Sequence, residues 1–162
     1  DVYKRQQRKL QSPDLNERVQ AAEKLAQMGS DAAVAAVDLV RSCGDETEVR
    51  DWAVAALEEM GPPPPSCIEA IATLITSEDS LTAYWAITLL GRAGSDAQHC
   101  QDALAATLSS STETSVQERA AWALGMVGAS SSAATAALTT ASESSNARLS
   151  RIAKASLNPT AS

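Results

Sequence analysis

Few side chains in this sequence could carry out chemistry, and their spacing indicates how they are used. The chain has three cysteines, Cys43, Cys67 and Cys100, and a single histidine, His99. The sequence contains neither a CxxC nor an HExxH segment, which are patterns typical of zinc sites. A lone histidine without a nucleophile at a defined spacing gives no sign of a nucleophile–base pair. We therefore expect no catalytic residue, no metal site and no bound cofactor, and we expect His99 to be a partly exposed helix residue.

The cysteines also bear on the compartment in which the protein works. Their odd number and their spacing favour free thiols in a reducing environment, so we expect a cytoplasmic protein. Cys67 and Cys100 each stand six residues after a glycine, and Ala35 occupies the same place after Gly29. Such a position, shared by small residues, predicts a small buried core site rather than a disulfide.

Three acidic residues recur at a spacing that could bring them onto one surface. Asp38, Glu69 and Asp102 are 31 and 33 residues apart. If each interval is one structural unit, the carboxylates form a column that attracts a basic partner segment. The alternative is an ordinary solvated face that has no partner.

Trp122 is a further candidate for partner binding. Tryptophan is a frequent anchor of protein–protein contacts when it stands on a surface. In helical projection Trp122 lies opposite the apolar residue Leu124, which favours exposure. The alternative is that its ring packs against the last helices of the chain.

The composition restricts the elements that can position these residues. Of the 162 residues, 44% are hydrophobic but only 3% are aromatic, and none is Phe. Abundant alanine favours closely packed helices over a sheet. The net charge of −7 would repel a phosphate backbone, so we expect no nucleic-acid partner. No run of 18 apolar residues occurs, so we expect no membrane span.

A repeated phrase organises most of the chain. Glycines stand at 29, 61, 94 and 128, so the intervals are 32, 33 and 34 residues. Leucine stands four residues before each glycine and alanine eight before it, which places both on one helix face. We expect each glycine to end a helix in a left-handed cap, and a second helix to follow it. For the first of these second helices, the pattern predicts a core face of Val34, Val37 and Val40.

The repeat also predicts the boundaries of the domain. We expect a repeat domain over 12–157, ending in a closing helix near 145–157 with a polar outer face, and a short tail over 158–162. Residues 1–11 form an N-terminal segment. One coding sequence for its opening DVYKRQ, residues 1–6, resembles the end of a transposase sequencing adapter, so we expect these residues to be a translated scar.

The phrases VRDWAVAALEEMG, 49–61, and VQERAAWALGMVG, 116–128, resemble HEAT repeats of the short bacterial kind. This resemblance covers roughly 12–157 and implies an all-α fold, an α-solenoid of about four HEAT-like helix pairs plus the closing helix. It also implies that the second helices line a concave surface.

The resemblance implies a non-enzymatic scaffold or adaptor that binds a protein segment. Because the acidic column would attract positive charge, we expect this segment to be basic. We expect a monomer or a part of a longer chain. An alternative function follows from a likeness to bilin-attaching lyases, namely an accessory protein that carries a tetrapyrrole. A HEAT-like DNA glycosylase would need a basic concave face, which the acidic balance disfavours.

Overall fold

The computed structural model describes residues 2–159, and the regular structure within that range is entirely helical. The α-helices are α1 (Val2–Lys9), α2 (Leu15–Gln27), α3 (Ala36–Ser42), α4 (Thr47–Met60), α5 (Ile68–Ala72), α6 (Ser80–Ala93), α7 (Gln101–Ser110), α8 (Thr114–Val127), α9 (Ser132–Ser142) and α10 (Ala147–Leu157). Short 3₁₀ segments precede three of them, at Gly29–Ala35, Pro65–Cys67 and Gly94–Cys100. The all-α prediction is confirmed. No helix in the described range is long and apolar enough to span a bilayer.

The helices stack as two layers. The first-helix layer contains α2, α4, α6, α8 and α10, and within it α2 packs on α4, and α8 packs on both α6 and α10. The second-helix layer contains α3, α5, α7 and α9, and each of these lies against first helices. Four helix pairs followed by α10 form an α-solenoid, as the repeat predicts. Helix α1 adds to the stack by packing against α2 and the Gly29–Ala35 segment.

The repeated leucines and alanines form the core of the stack. Side chains eight and four residues before the repeat glycines have no solvent exposure: Ala21, Leu25, Ala53, Leu57, Ala86, Leu90, Ala120 and Leu124. The small alanine lets a neighbouring helix approach, and the leucine one turn later fills the space between them. The predicted core face of the first helices is therefore confirmed.

The predicted core face of the first second helix is wrong in part. Val34 is 50% exposed, whereas Ala32 and Ala35 are fully buried. The reason is that Gly29–Ala35 is a 3₁₀ helix, in which residues three apart share a face. The α-helical spacing begins only at α3, where Leu39 and Val40 reach the core.

The four repeat glycines all have positive φ, between 59° and 82°, which favours glycine. Gly128 adopts the predicted left-handed conformation. Gly61 and Gly94 combine positive φ with ψ of −146° and −134°, a region that is essentially restricted to glycine. The glycine position was predictable, but its cap geometry differs between repeats.

The prolines after Gly61 leave the end of α4 without its usual donors. Residues 62–65 are all proline and have no backbone N–H, so they cannot bond to the last carbonyls of the helix. The carbonyl of Leu57, whose partner four residues on is Gly61 rather than a proline, accepts a hydrogen bond from Nη1 of Arg92 in α6 at 2.7 Å. Direct contact between α4 and α6 is slight, so Arg92 is a bridge between these two repeats.

Parts of the predicted terminal segments lie outside the described residues. These are Asp1, within the expected scar, and residues 160–162, within the expected tail. The remaining residues of 1–11 contribute α1 and the turn that follows it, where Leu10 is buried. The origin of residues 1–6 stays a prediction.

Candidate functional site

Asp38 lies in the first turn of α3 and is largely covered. Its side chain is 16% exposed, and Nη1 of Arg41 lies 3.5 Å from its Oδ1. Nε2 of Gln11 donates to Oδ1 at 3.2 Å and Nε2 of Gln7 to Oδ2 at 3.5 Å. This carboxylate therefore joins α3 to the helix that precedes the repeats.

Glu69 and Asp102 occupy the corresponding first turns of α5 and α7 and are more accessible. The Glu69 side chain is 79% exposed, and its Oε1 lies 2.5 Å from Nε2 of His99. Exposed Asp102 accepts a hydrogen bond from Oγ of Ser131 at 2.6 Å. Each carboxylate thus contacts the next repeat along the stack. No hydrogen bond or ion pair joins Asp38, Glu69 and Asp102 to one another within the described residues.

The second-helix layer as a whole has an acidic excess. With their 3₁₀ segments, α3, α5, α7 and α9 contain five carboxylates and one arginine, a difference of −4. Two of the five, Asp31 and Asp96, each stand two residues after a repeat glycine and are exposed. This second recurring pair was not among the predicted site residues, although its spacing from the glycine could have identified it.

Trp122, the fourth predicted site residue, lies on the first-helix layer. Its indole is partly buried and sits against Gly91 of α6, where a Cβ atom would overlap the ring. It also faces α10, since it lines a groove together with Ile152. Trp122 is therefore apart from the three carboxylates, and it packs between helices while part of it stays accessible.

The groove beside Trp122 lies between α6, α8 and α10 and has an open volume of about 340 Å³. Its lining includes Tyr84, Glu118, Arg119, Trp122, Arg148 and Ile152. We call it the α6–α8–α10 groove. It was not predicted from the sequence, because its residues come from two repeats and the closing helix and share no recurring phrase.

Arg119 is held in a fixed orientation in this groove. Its guanidinium carbon lies 4.6 Å from the ring centre of Tyr84 and 4.8 Å from that of Trp122. Its Nη2 also donates to the hydroxyl oxygen of Tyr84. Cation–π contacts with two rings and one hydrogen bond restrict the side chain and leave its other donors available.

The charges around the groove are predominantly positive. Within the described residues, no carboxylate lies within ion-pair distance of Arg119, whereas Nε of Arg148 lies 3.5 Å from Oε2 of the largely buried Glu118. The guanidinium carbon of Arg92, next along this layer, lies 5.5 Å from the ring centre of Trp85. Burial lowers the pKa of Arg92, and the positive charge of Arg119 lowers it further.

The cysteines are placed within the stack. All three are free, Cys43 and Cys100 are buried, and Cys67 is half-buried. Burial raises the pKa of Cys43 to about 12, with a smaller contribution from the charge of Asp79. Burial also raises the pKa of Cys100. The described residues contain no group of three His, Cys, Asp or Glu side chains placed to hold a metal ion.

Comparison with protein families matches a sequence model of HEAT repeats to residues 68–158, more than half of the chain. Comparison with curated proteins gives no match.

Solved structures share the fold. An engineered protein is 23% identical with a TM-score of 0.62, and the match covers 97% of this chain and 78% of that one. A designed armadillo repeat protein in complex with the peptide (KR)4 is 16% identical with a TM-score of 0.65, over 96% and 80% of the two chains. The complex of CpcE and CpcF of phycocyanin lyase from Nostoc sp. PCC7120 is 20% identical with a TM-score of 0.63, over 95% and 64%. At these identities the likeness shows the fold alone.

Proposed function

This chain belongs to the HEAT-repeat family, and on that premise we propose that it is a non-enzymatic module that binds a segment of another protein. Stacked helix pairs give an extended, rigid surface, which such folds commonly use for protein partners. We propose that it works in the cytoplasm, because its three cysteines are free and free thiols suit a reducing compartment. The module acts as a monomer or as part of a longer chain.

The acidic excess of the second-helix layer is the observation that carries the proposal. Five carboxylates against one arginine give this layer a negative potential that favours a basic segment. Asp38, Glu69 and Asp102 recur along it at one position per repeat, which suits an extended peptide. The designed armadillo repeat protein of similar fold is in complex with the peptide (KR)4, which supports a basic peptide as the partner of such a stack.

The existing contacts of the carboxylates leave capacity for a partner. A carboxylate has about four acceptor positions, whereas Asp102 accepts one described hydrogen bond and Glu69 has one partner. These bonds also hold the carboxylates in place, which lowers the entropy lost on binding. Asp38 is more covered, so we assign the larger contributions to Glu69 and Asp102.

A fluorescent peptide (Lys-Arg)4 tests this function by anisotropy. We expect binding that weakens as salt is added, because the attraction is between surface charges. The double variant Glu69→Gln, Asp102→Asn keeps the side-chain shapes and should bind roughly three- to tenfold more weakly.

The matched control is Glu58→Gln, Glu59→Gln. It makes the same change in net charge at two exposed positions of α4, in the other layer. Equal weakening by both double variants would mean that only net charge matters. That result, or no binding at all, would reject the second-helix surface as the site.

The alternative function is a bilin-lyase-like accessory protein that carries a tetrapyrrole. Two observations favour it: the fold likeness to the CpcE–CpcF complex, and the presence of Arg119 and Arg148 in one groove, since arginines pair with propionates. A native mass spectrum of the purified protein, with its visible absorption, separates the two functions. Added mass with colour supports the alternative, whereas a colourless chain that binds (Lys-Arg)4 supports the scaffold.

A further inference from the structure

We propose that the α6–α8–α10 groove binds an acidic segment of a partner protein. A carboxylate of the segment bonds to Arg119 and Arg148, and an apolar side chain beside it packs on Trp122 and Ile152. This site lies on the first-helix layer, has the opposite charge preference to the acidic second-helix layer, and does not depend on that layer.

Arg119 supplies the first argument. A guanidinium presents five donors in a planar fork that matches the two oxygens of a carboxylate. The guanidinium carbon of Arg119 lies over the rings of both Tyr84 and Trp122, and only Nη2 is used in a described hydrogen bond, to the Tyr84 hydroxyl, so its other donors are available. With no carboxylate at ion-pair distance in the described range, Arg119 is an oriented cation without a counter-charge.

Charge supplies the second argument. The groove lining contains two arginines and one glutamate, a local charge of +1 in a chain of −7. Arg148 is an exposed side chain at 3.5 Å from Glu118, so it can turn toward an incoming carboxylate. Glu118 remains in the lining, and this negative group favours a singly charged carboxylate over a doubly charged phosphate.

Size and surface supply the third argument. A volume of about 340 Å³ lies near the lower end of the range for ligand pockets, about 300–1,000 Å³. It accommodates a side chain and an adjacent carboxylate rather than a whole helix. The rings of Tyr84 and Trp122 and the side chain of Ile152 offer an apolar wall, which suits a peptide with alternating acidic and apolar residues.

The test measures anisotropy of a fluorescent peptide of alternating Glu and Leu residues, with an alternating Lys and Leu peptide beside it. We expect the full chain to prefer the acidic peptide. Arg119→Gln and Arg148→Gln should each weaken that binding about tenfold or more, because each removes a charged hydrogen-bond donor. Arg119→Lys should also weaken it, since an ammonium keeps the charge but lacks the planar fork.

Arg151→Gln is the matched control, because Arg151 is exposed on α10 but does not line the groove. It should bind like the unaltered chain. Circular dichroism reports whether Arg119→Gln alters folding. If it does, Arg148→Gln still tests the proposal, because Arg148 is exposed. The variant Glu69→Gln, Asp102→Asn should leave this binding unchanged, so failure here is distinct from failure of the proposed function.

Three results would overturn the proposal. One is that the unaltered chain, Arg119→Gln and Arg148→Gln all bind the acidic peptide with equal affinity. Another is no preference for the acidic peptide, or no binding of it. The third is a concentration-dependent dimer that Arg119→Gln abolishes, which would assign the groove to a second copy of the chain.

Discussion

Gly91 determines where the ring of Trp122 can lie. A side chain at this position would overlap the ring, so the indole can pack on α6 only because the residue is glycine. The close approach also fixes Trp122 beside Arg119 and thereby shapes the α6–α8–α10 groove. A residue without a side chain thus contributes to a candidate binding site.

Gly91→Ala should displace Trp122. Overpacking costs about 1–3 kcal/mol, and replacing a helical glycine by alanine returns at most about 1 kcal/mol. We therefore expect a net loss of up to about 2 kcal/mol of unfolding free energy in urea, together with weaker binding of the acidic peptide. Gly44→Ala is the control, since a Cβ there would meet its nearest atom at 3.5 Å. Unchanged acidic-peptide binding by Gly91→Ala would contradict this role.

Single residues also show what the sequence could and could not predict. The buried alanines and leucines follow from one periodic phrase, so their positions were predictable. The partners of the acidic residues were not, because Gln7, His99 and Ser131 stand 29 to 31 residues away from them. Tyr84 and Arg119 are 35 residues apart, and their contact depends on how two repeats align rather than on any local pattern.

At the scale of the helices, the difference between α and 3₁₀ geometry decides which residues enter the core. Leu57→Ala should lower the unfolding free energy by about 2–5 kcal/mol, because a fully buried side chain leaves a cavity. Val34→Ala, at a position that the sequence pattern placed in the core, should change it by less than about 0.5 kcal/mol. Urea denaturation measures both. A large loss of unfolding free energy for Val34→Ala would contradict the 3₁₀ geometry and favour α-helical spacing over 29–35.

The end of α4 shows how a distant side chain can complete a helix. Arg92→Ala removes the donor to the Leu57 carbonyl, a charged hydrogen bond near a helix C-terminus. We expect a loss of about 1–3 kcal/mol in unfolding free energy, again by urea denaturation. Arg151→Ala, at an exposed site, should change it by less than about 0.5 kcal/mol. If the two variants unfold alike, the cap does not stabilise α4.

Helices were the most predictable level of this structure, because period, glycine and proline positions all agree there. Their ends were less predictable. The run of prolines at 62–65 indicates where α4 stops, yet it gives no sign that Arg92 would donate to the Leu57 carbonyl. That bond spans two helices that otherwise make little direct contact, which only the stacked structure shows.

At the scale of the whole molecule, the two layers differ in charge distribution. The second-helix layer has an acidic excess, whereas the first-helix layer changes along its length from acidic α4 to basic α10. The stack itself was predictable from the repeat, since one helix pair cannot bury its apolar face alone. Of this charge distribution, only the acidic column was predictable, because the groove combines residues from two repeats and the closing helix.

The central claim is that the second-helix layer binds a basic protein segment. An NMR titration of the isotope-labelled chain with (Lys-Arg)4 tests it most directly, since each backbone amide reports its own surroundings. We predict shift changes concentrated in α5 and α7, around Glu69 and Asp102, with smaller changes near Asp38. Shift changes confined to the first-helix layer, or none at saturating peptide, would contradict the claim.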